Sequence, residues 1–235
     1  MQIATISNVI QSTVAAAERV YELLDEAEEI PESDTPTPIE GLAGSVRLED
    51  VSFRYDPEVP LIERMSIEAT PGSVTAIVGP TGAGKTTLVN LLMRFYELDS
   101  GTISIDGVST VDLARSTLRG LFGMVLQDAW LFSGSIRENI AYGRDDATEA
   151  EIVAAAEIVH ADHFVRTLPE GYDTVINEEA SNISQGQKQL LTIARAVLAD
   201  PTILILDEAT SNVDTRTEAF VQKAMTRLMS VARAL

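Results

Sequence analysis

Strand and helix patterns alternate along this chain around one glycine-rich turn, which predicts an α/β fold with a largely parallel sheet. Three observations carry that expectation. Short apolar or alternating runs at residues 46, 74, 102, 123 and 203 have strand texture. Helix signals dominate from about 135 to 199, two of them opened by S/T-x-x-E sequences. Between a strand pattern and a helix pattern stands Gly79-Pro-Thr-Gly-Ala-Gly-Lys-Thr86.

The elements follow in order. Residues 3–29 predict one helix, because Ile6, Ile10, Val14, Ala17, Val20 and Leu24 recur at three- and four-residue steps. Its apolar face has no partner of matching length in this chain, so it reads either as part of a larger bundle or as a helix folded back on the domain. Pro31 to Pro38 holds three prolines and predicts an extended linker, placed at 31–44. Val46–Tyr55 alternates as a strand, paired with Met65–Ala69. Val74-Thr-Ala-Ile-Val78 predicts a buried strand ending in glycine, and Thr102–Ile105 another, closed by Asp106-Gly107. Gly123–Leu126 is a further short strand. Ser135-Ile-Arg-Glu138 and Thr148-Glu-Ala-Glu151 are capping boxes, Lys188–Ala199 is a helix, Ile203–Leu206 is a fully apolar strand, and a last helix lies near 215–229.

Composition narrows the function. The 235 residues, 45% of them hydrophobic, suffice for one full domain with a small appendage. The net charge of −19 argues against nucleic acid or an anionic membrane surface as main partner, since both need clustered Lys and Arg. With no cysteine, disulfides, thiolate catalysis and Cys-ligated zinc are excluded. The first residues lack the basic and apolar regions of a signal peptide, and no apolar run reaches the length of a membrane span.

The glycine-rich turn satisfies G-x-x-x-x-G-K-[ST], the P-loop pattern. Its glycines let backbone N–H groups curl around phosphates at the positive end of the following helix. Lys85 is placed to reach the β- and γ-phosphates and the Thr86 hydroxyl to ligate Mg²⁺. Asp207-Glu208 closes the apolar strand. After a P-loop, Asp207 reads as a Mg²⁺-side ligand and Glu208 as the acceptor of a proton from the attacking water. Ser184-Gln-Gly-Gln187 opens a helix with Ser184 as natural N-cap and Gly186 permitting close approach of an anion. Read alone, this is only a capped helix.

In order, the chain shows Tyr55 at a strand end, the P-loop, Gln127, S-Q-G-Q, Asp207-Glu208 and Ser211-Asn-Val-Asp214. This set resembles the nucleotide-binding domain of ABC transporters over about residues 45–229. The resemblance implies ATP and Mg²⁺ as cofactors, with a P-loop NTPase core, a small antiparallel β subdomain and a helical subdomain at about 128–190. It implies nucleotide contacts at Gly79, Thr81, Gly82, Gly84, Lys85, Thr86 and Thr87, with Tyr55 stacked on adenine. It further implies Gln127 touching Mg²⁺ and the attacking water. Ser184, Gly186 and Gln187 would bind the γ-phosphate held by an opposite subunit, and Asp214 would lie across a head-to-tail dimer of such domains. Residues 127–140 resemble exporters of the multidrug type, which fuse permease and ATPase. There, Trp130 and Phe132 line a groove for a membrane-domain helix or pack as core. Residues 1–30 then resemble the cytoplasmic end of the last transmembrane helix.

The implied function is ATP hydrolysis powering export, at the cytoplasmic face of a membrane through a permease partner, or as a soluble chain if alone. Two departures stand out. Asn177-Glu-Glu-Ala180 replaces the family's glycines around one glutamate. The last residues, Ser230–Leu235, do not resemble the family strand, and the family's γ-phosphate histidine falls beyond them. His160 and His163 come too early to substitute. The expectation is therefore a truncated or frame-shifted gene fragment. An impaired ATP-binding subunit paired with an intact homologue is the alternative, and a soluble ABC ATPase acting on DNA or ribosomes a third.

Overall fold

The computed structural model describes residues 2–26, 28–39, 41–126, 129–177, 181–207 and 223, with side chains from residue 6 onward. The chain divides into two units, Met1–Glu32 and Ser33–Leu235.

The first unit carries α1 (Gln2–Leu24), with Ile6, Ile10, Val14, Val20 and Leu24 all more than half exposed. The helix stops short of the residue 29 expected from periodicity. Glu22, Asp25 and Glu26 gather where the helix dipole is negative, and no basic residue stands in the last turn. Among the described residues no helix is long and apolar enough to cross a membrane.

In the second unit β1 (Val46–Phe53) is the spine of an antiparallel sheet. It pairs with β2 (Ile62–Ala69) on one side and with β3 (Ser100–Ile105) on the other, and β3 turns back into β4 (Val108–Ser109). Val46, Leu48, Val51 and Phe53 are buried, a period of two with one extra step. That step is a β-bulge: Asp50 takes a positive φ of 49°, and the register shifts between Leu48 and Val51. Only glycine fits opposite it, since a Cβ on Gly101 would stand 2.5 Å from the Asp50 carbonyl oxygen. The Asp106 carboxylate accepts hydrogen bonds from the backbone N–H groups of Ala43, Gly44 and Ser45, tying the end of the linker to the sheet.

α2 (Lys85–Leu92) packs Leu88, Leu91 and Leu92 onto this sheet. α3 (Arg115–Gly120) leads into β5 (Phe122–Val125). A helical region follows: β6 (Gly134–Ser135), α4 (Ile136–Ala141), α5 (Glu149–Ile158), α6 (Ala161–Val165), β7 (Val175–Ile176) and α7 (Gln185–Ala199), and the chain then enters β8 (Ile203–Leu206). Both predicted capping boxes are formed. Ser135 and Glu138 cap α4, and Thr148 and Glu151 cap α5. α7 starts three residues before the expected Lys188, because Ser184 and Gln187 form a third box.

β5 and β8 pair in parallel and join two cores. Successive β8 side chains face opposite ways. Ile203 and Ile205 pack with the sheet and α2, whereas Leu204 and Leu206 pack with α4, α5 and α7.

One expectation is not met among the described residues. Val74–Val78 forms no ladder with any of the described strands, and Val74, Ile77 and Val78 are 65%, 44% and 88% exposed. A central strand needs a neighbour on each edge to satisfy its backbone groups, and none of the described strands lies against this segment. The small antiparallel β piece expected beside the P-loop core is the four-stranded sheet β2-β1-β3-β4. The one parallel pair among the described residues, β5–β8, is a separate two-stranded sheet. The predicted helix near 215–229 lies outside the described residues, apart from Lys223.

Candidate functional site

The P-loop is shaped by its glycines. Gly82 and Gly84 take φ of 83° and 86°, a region side chains rarely enter, and Gly84 caps α2 while packing against Leu61 and Ile62. The Ala83 N–H donates to the Pro80 carbonyl, closing the turn, and the Leu88 N–H to that of Gly84. The first N–H groups of α2 thus open toward whatever stands before Lys85. The Lys85 ammonium lies over this turn, donating to the carbonyls of Gly79 (2.9 Å) and Pro80 (3.1 Å).

Lys85 and Thr86 share one cavity, of ≈ 360 Å³, with Asp207. Its walls are mainly apolar: Val74, Thr75 and Ile77 on one side, Leu204, Ile205 and Leu206 on another, and Val46 and Leu48 of the sheet beneath. The Asp207 N–H donates to the Val125 carbonyl, so the parallel β5–β8 ladder fixes where its backbone sits. A hydroxyl and a carboxylate at one cavity are hard oxygen donors, and this donor set fits Mg²⁺ bound jointly with phosphates, an ion that needs only one or two protein ligands of that kind.

Tyr55 follows β1 and is 54% exposed, and its hydroxyl donates to Thr87 Oγ1 at 3.2 Å. Thr87 is buried on α2. The tyrosine expected at the strand end is therefore bonded to the P-loop helix, and its ring packs against Phe53 and Tyr96.

At α7 the Ser184 hydroxyl accepts from the Gln187 N–H, and Gln187 Oε1 accepts from the Ser184 N–H. Ser184 keeps its own hydroxyl proton, and Gln187 its amide N–H₂, for other acceptors. Gly186 is buried in the first turn. The structure thus brings Lys85, Thr86 and Asp207 together and links Tyr55 to Thr87. Thr81 and Gly79 lie in the same exposed turn. Gln127, Glu208 and Asp214 lie outside the described residues, as do Glu178, Glu179 and Ala180 of the loop that departs from the family. His160 and His163 are both exposed.

Two residues missed in the sequence organise the stretch after β5. Asn139 is fully buried. Its amide donates to the carbonyls of Phe132 and Ser135, and its oxygen accepts from the Phe132 N–H. Arg195 on α7 donates to the carbonyls of Asn139 (2.9 Å) and Trp130 (3.2 Å) and stacks on Tyr142; burial pushes its pKa below the ordinary arginine value. Together they present Trp130, 61% exposed, in a surface cluster with Phe132 and Tyr142. That exposure favours the surface reading of Trp130 over core packing. An asparagine between Ile136 and Ile140 on the buried face of α4 was the available sequence signal.

Comparison with known proteins gives concordant results. The family described as ABC transporter matches residues 62–211. The chain is 58% identical over 227 residues to a fatty acid ABC transporter ATP-binding/permease protein of Mycobacterium bovis, covering 97% of this chain and 36% of that protein. It is 44% identical over 228 residues to an ATP-dependent lipid A-core flippase of Desulfotalea psychrophila, covering 97% of this chain and 40% of the relative. A solved bacterial Atm1-family ABC exporter with ATP bound superposes with a TM-score of 0.82 at 38% identity, over 96% of this chain and 39% of that one. The chain thus spans less than half the length of these relatives.

Proposed function

Because this chain belongs to the ABC transporter family, as its ATP-binding domain, we propose that it binds MgATP and hydrolyses it to drive export, joined to a permease and paired head-to-tail with a second such domain. The observation that carries this most is the convergence of Lys85, Thr86 and Asp207 on one cavity at the P-loop.

The steps follow from the groups present. Adenine stacks on Tyr55, a sequence-tolerant contact. The N–H groups of the turn from Gly79 through Thr81, Gly82 and Gly84, and those opening α2 at Lys85, Thr86 and Thr87, cradle the phosphates. Lys85 leaves the carbonyls of Gly79 and Pro80 for the β- and γ-phosphate oxygens, exchanging neutral acceptors for charged ones. The Thr86 hydroxyl and Asp207, with Gln127, hold Mg²⁺, which when bound neutralises charge on the phosphates. Gln127 orients the attacking water and Glu208 takes its proton. Ser184, Gly186 and Gln187 at the N-terminus of α7 offer a hydroxyl and N–H groups to the γ-phosphate held by the paired domain, and Asp214 belongs to that interface. Trp130 and Phe132 face the permease. The names of two relatives, with fatty acid and lipid A-core as cargo, favour a lipid-class substrate.

A second reading, a subunit that binds ATP but turns it over poorly beside an intact homologue, is favoured by Val74–Val78, directly before the P-loop, having no ladder with any described strand.

MgATP hydrolysis by the chain, measured beside Glu208→Gln and an ATP-binding assay, separates the two. The first predicts turnover that falls ~10²–10⁴-fold in Glu208→Gln with binding retained. Binding without turnover in the parent chain supports the second. Absence of ATP binding, with the fold intact, overturns both.

A further inference from the structure

Three aromatic rings meet beside the P-loop helix, and only one has been given a task. Tyr55 stands edge-on to Phe53, at 4.9 Å between centroids and 88° between planes, and edge-on to Tyr96, at 5.1 Å and 86°. Phe53 and Tyr96 are 5.6 Å apart. Phe53 is buried in the sheet core, whereas Tyr96, just past α2, is 44% exposed. It is therefore no core residue by necessity, and its ring is spent on a neighbour that is itself half in solvent.

The Tyr55 side chain has two torsions to fix. Its hydroxyl is held at one end by Thr87. The body of the ring rests against Phe53 and Tyr96, each in the edge-to-face arrangement that aromatic quadrupoles favour. Phe53 alone supports it from the sheet, and Tyr96 supplies the second, outer support. A ring fixed before the ligand arrives loses less rotamer freedom on binding, and that saving appears as affinity for the base.

We propose that Tyr96 is a positioning residue for the nucleotide base, holding the Tyr55 ring in its stacking orientation. This rests on the reading of Tyr55 as the adenine platform. Tyr96 contributes through Tyr55, so its effect is confined to ligands that carry a base.

The test titrates the full chain with MgATP and with magnesium tripolyphosphate, which has the phosphates and no base. Tyr96→Ala is expected to weaken MgATP about 2- to 10-fold and to leave tripolyphosphate unchanged. Tyr96→Phe, which keeps the ring, is expected to bind MgATP as the parent does. Equal weakening of both ligands by Tyr96→Ala, or no weakening of either, overturns the proposal. Tyr55→Ala separates the levels: it should erase the advantage of MgATP over tripolyphosphate. If it does so while Tyr96→Ala leaves that advantage intact, only the role of Tyr96 falls. If Tyr55→Ala leaves it intact, the adenine platform falls and the proposal with it. Should Tyr96→Ala lower the unfolding midpoint enough to obscure binding, Tyr96→Leu fills the space without a ring and carries the same expectations.

Discussion

Val74-Thr-Ala-Ile-Val78 and Ile203-Leu-Ile-Leu206 are two runs of strand-forming residues, each ending where phosphate chemistry begins, and they meet opposite fates. Ile203 and Leu204 are 0% and 2% exposed and laddered to β5, whereas Val78 is 88% exposed and Val74 to Val78 has no ladder among the described residues. Their intrinsic preferences are close, so the difference lies in what flanks them. β8 has β5 at its edge and apolar cover on both faces, from α2 and the sheet on one and from α7 on the other. Strand propensity is fitness for a pleated, half-buried surface, and without that surface it is not expressed.

The largest effect should come from breaking the paired strand. Ile203→Ala removes a fully buried side chain and is expected to cost about 2–5 kcal/mol in urea unfolding. A loss under 1 kcal/mol would mean that β8 is no better packed than the segment before the P-loop. Next, Ser184→Ala removes the cap of α7, the helix covering the Leu204 face of β8, at a cost of about 1 kcal/mol. The same substitution at the exposed Ser116 within α3, which caps no helix, should be nearly silent and serves as control. Smaller still, Val78→Thr should stay within about 0.5 kcal/mol, as exposed substitutions do. A cost comparable to that at Ile203 would sink the contrast, since it would require a covered Val78 in solution.

The smallest effect is one of pH. The hydroxyl and backbone N–H of Thr148, with Arg144, hold Glu151 down to about 2 from an ordinary 4.5. Glu138 is lowered in the same way by Ser135. A depressed carboxylate stabilises the fold fully above its unfolded value and loses that contribution as pH falls through the folded one. For Glu151 the window runs from about 4.5 down to about 2. Stability of the parent chain should therefore fall more steeply across it than that of Glu151→Gln. Parallel curves would show that the box holds α5 without help from the charge.

What could be read from sequence divides along the same line as the two segments. The capping boxes at Ser135, Thr148 and Ser184 are local: three residues fix both partners, and all three form. The P-loop is local too, because its glycines define the turn whatever surrounds it. Ile203–Leu206 was legible by its apolar run, though not its alternation between two cores, which depends on what lies above and below. Val74–Val78 was read as a strand, and no described strand pairs with it, because a neighbour in space decides the ladder. The bond from Tyr55 to Thr87 and the clamp of Asn139 and Arg195 were invisible for the same reason, since they join residues 32 and 56 positions apart.

That clamp has a mechanical corollary. Arg195 holds the Trp130 loop from α7, the helix capped by Ser184, which lies about 16 Å away along its axis. Loop and cap are thereby carried on one hydrogen-bonded helix, so that a displacement of either would be passed along α7 to the other.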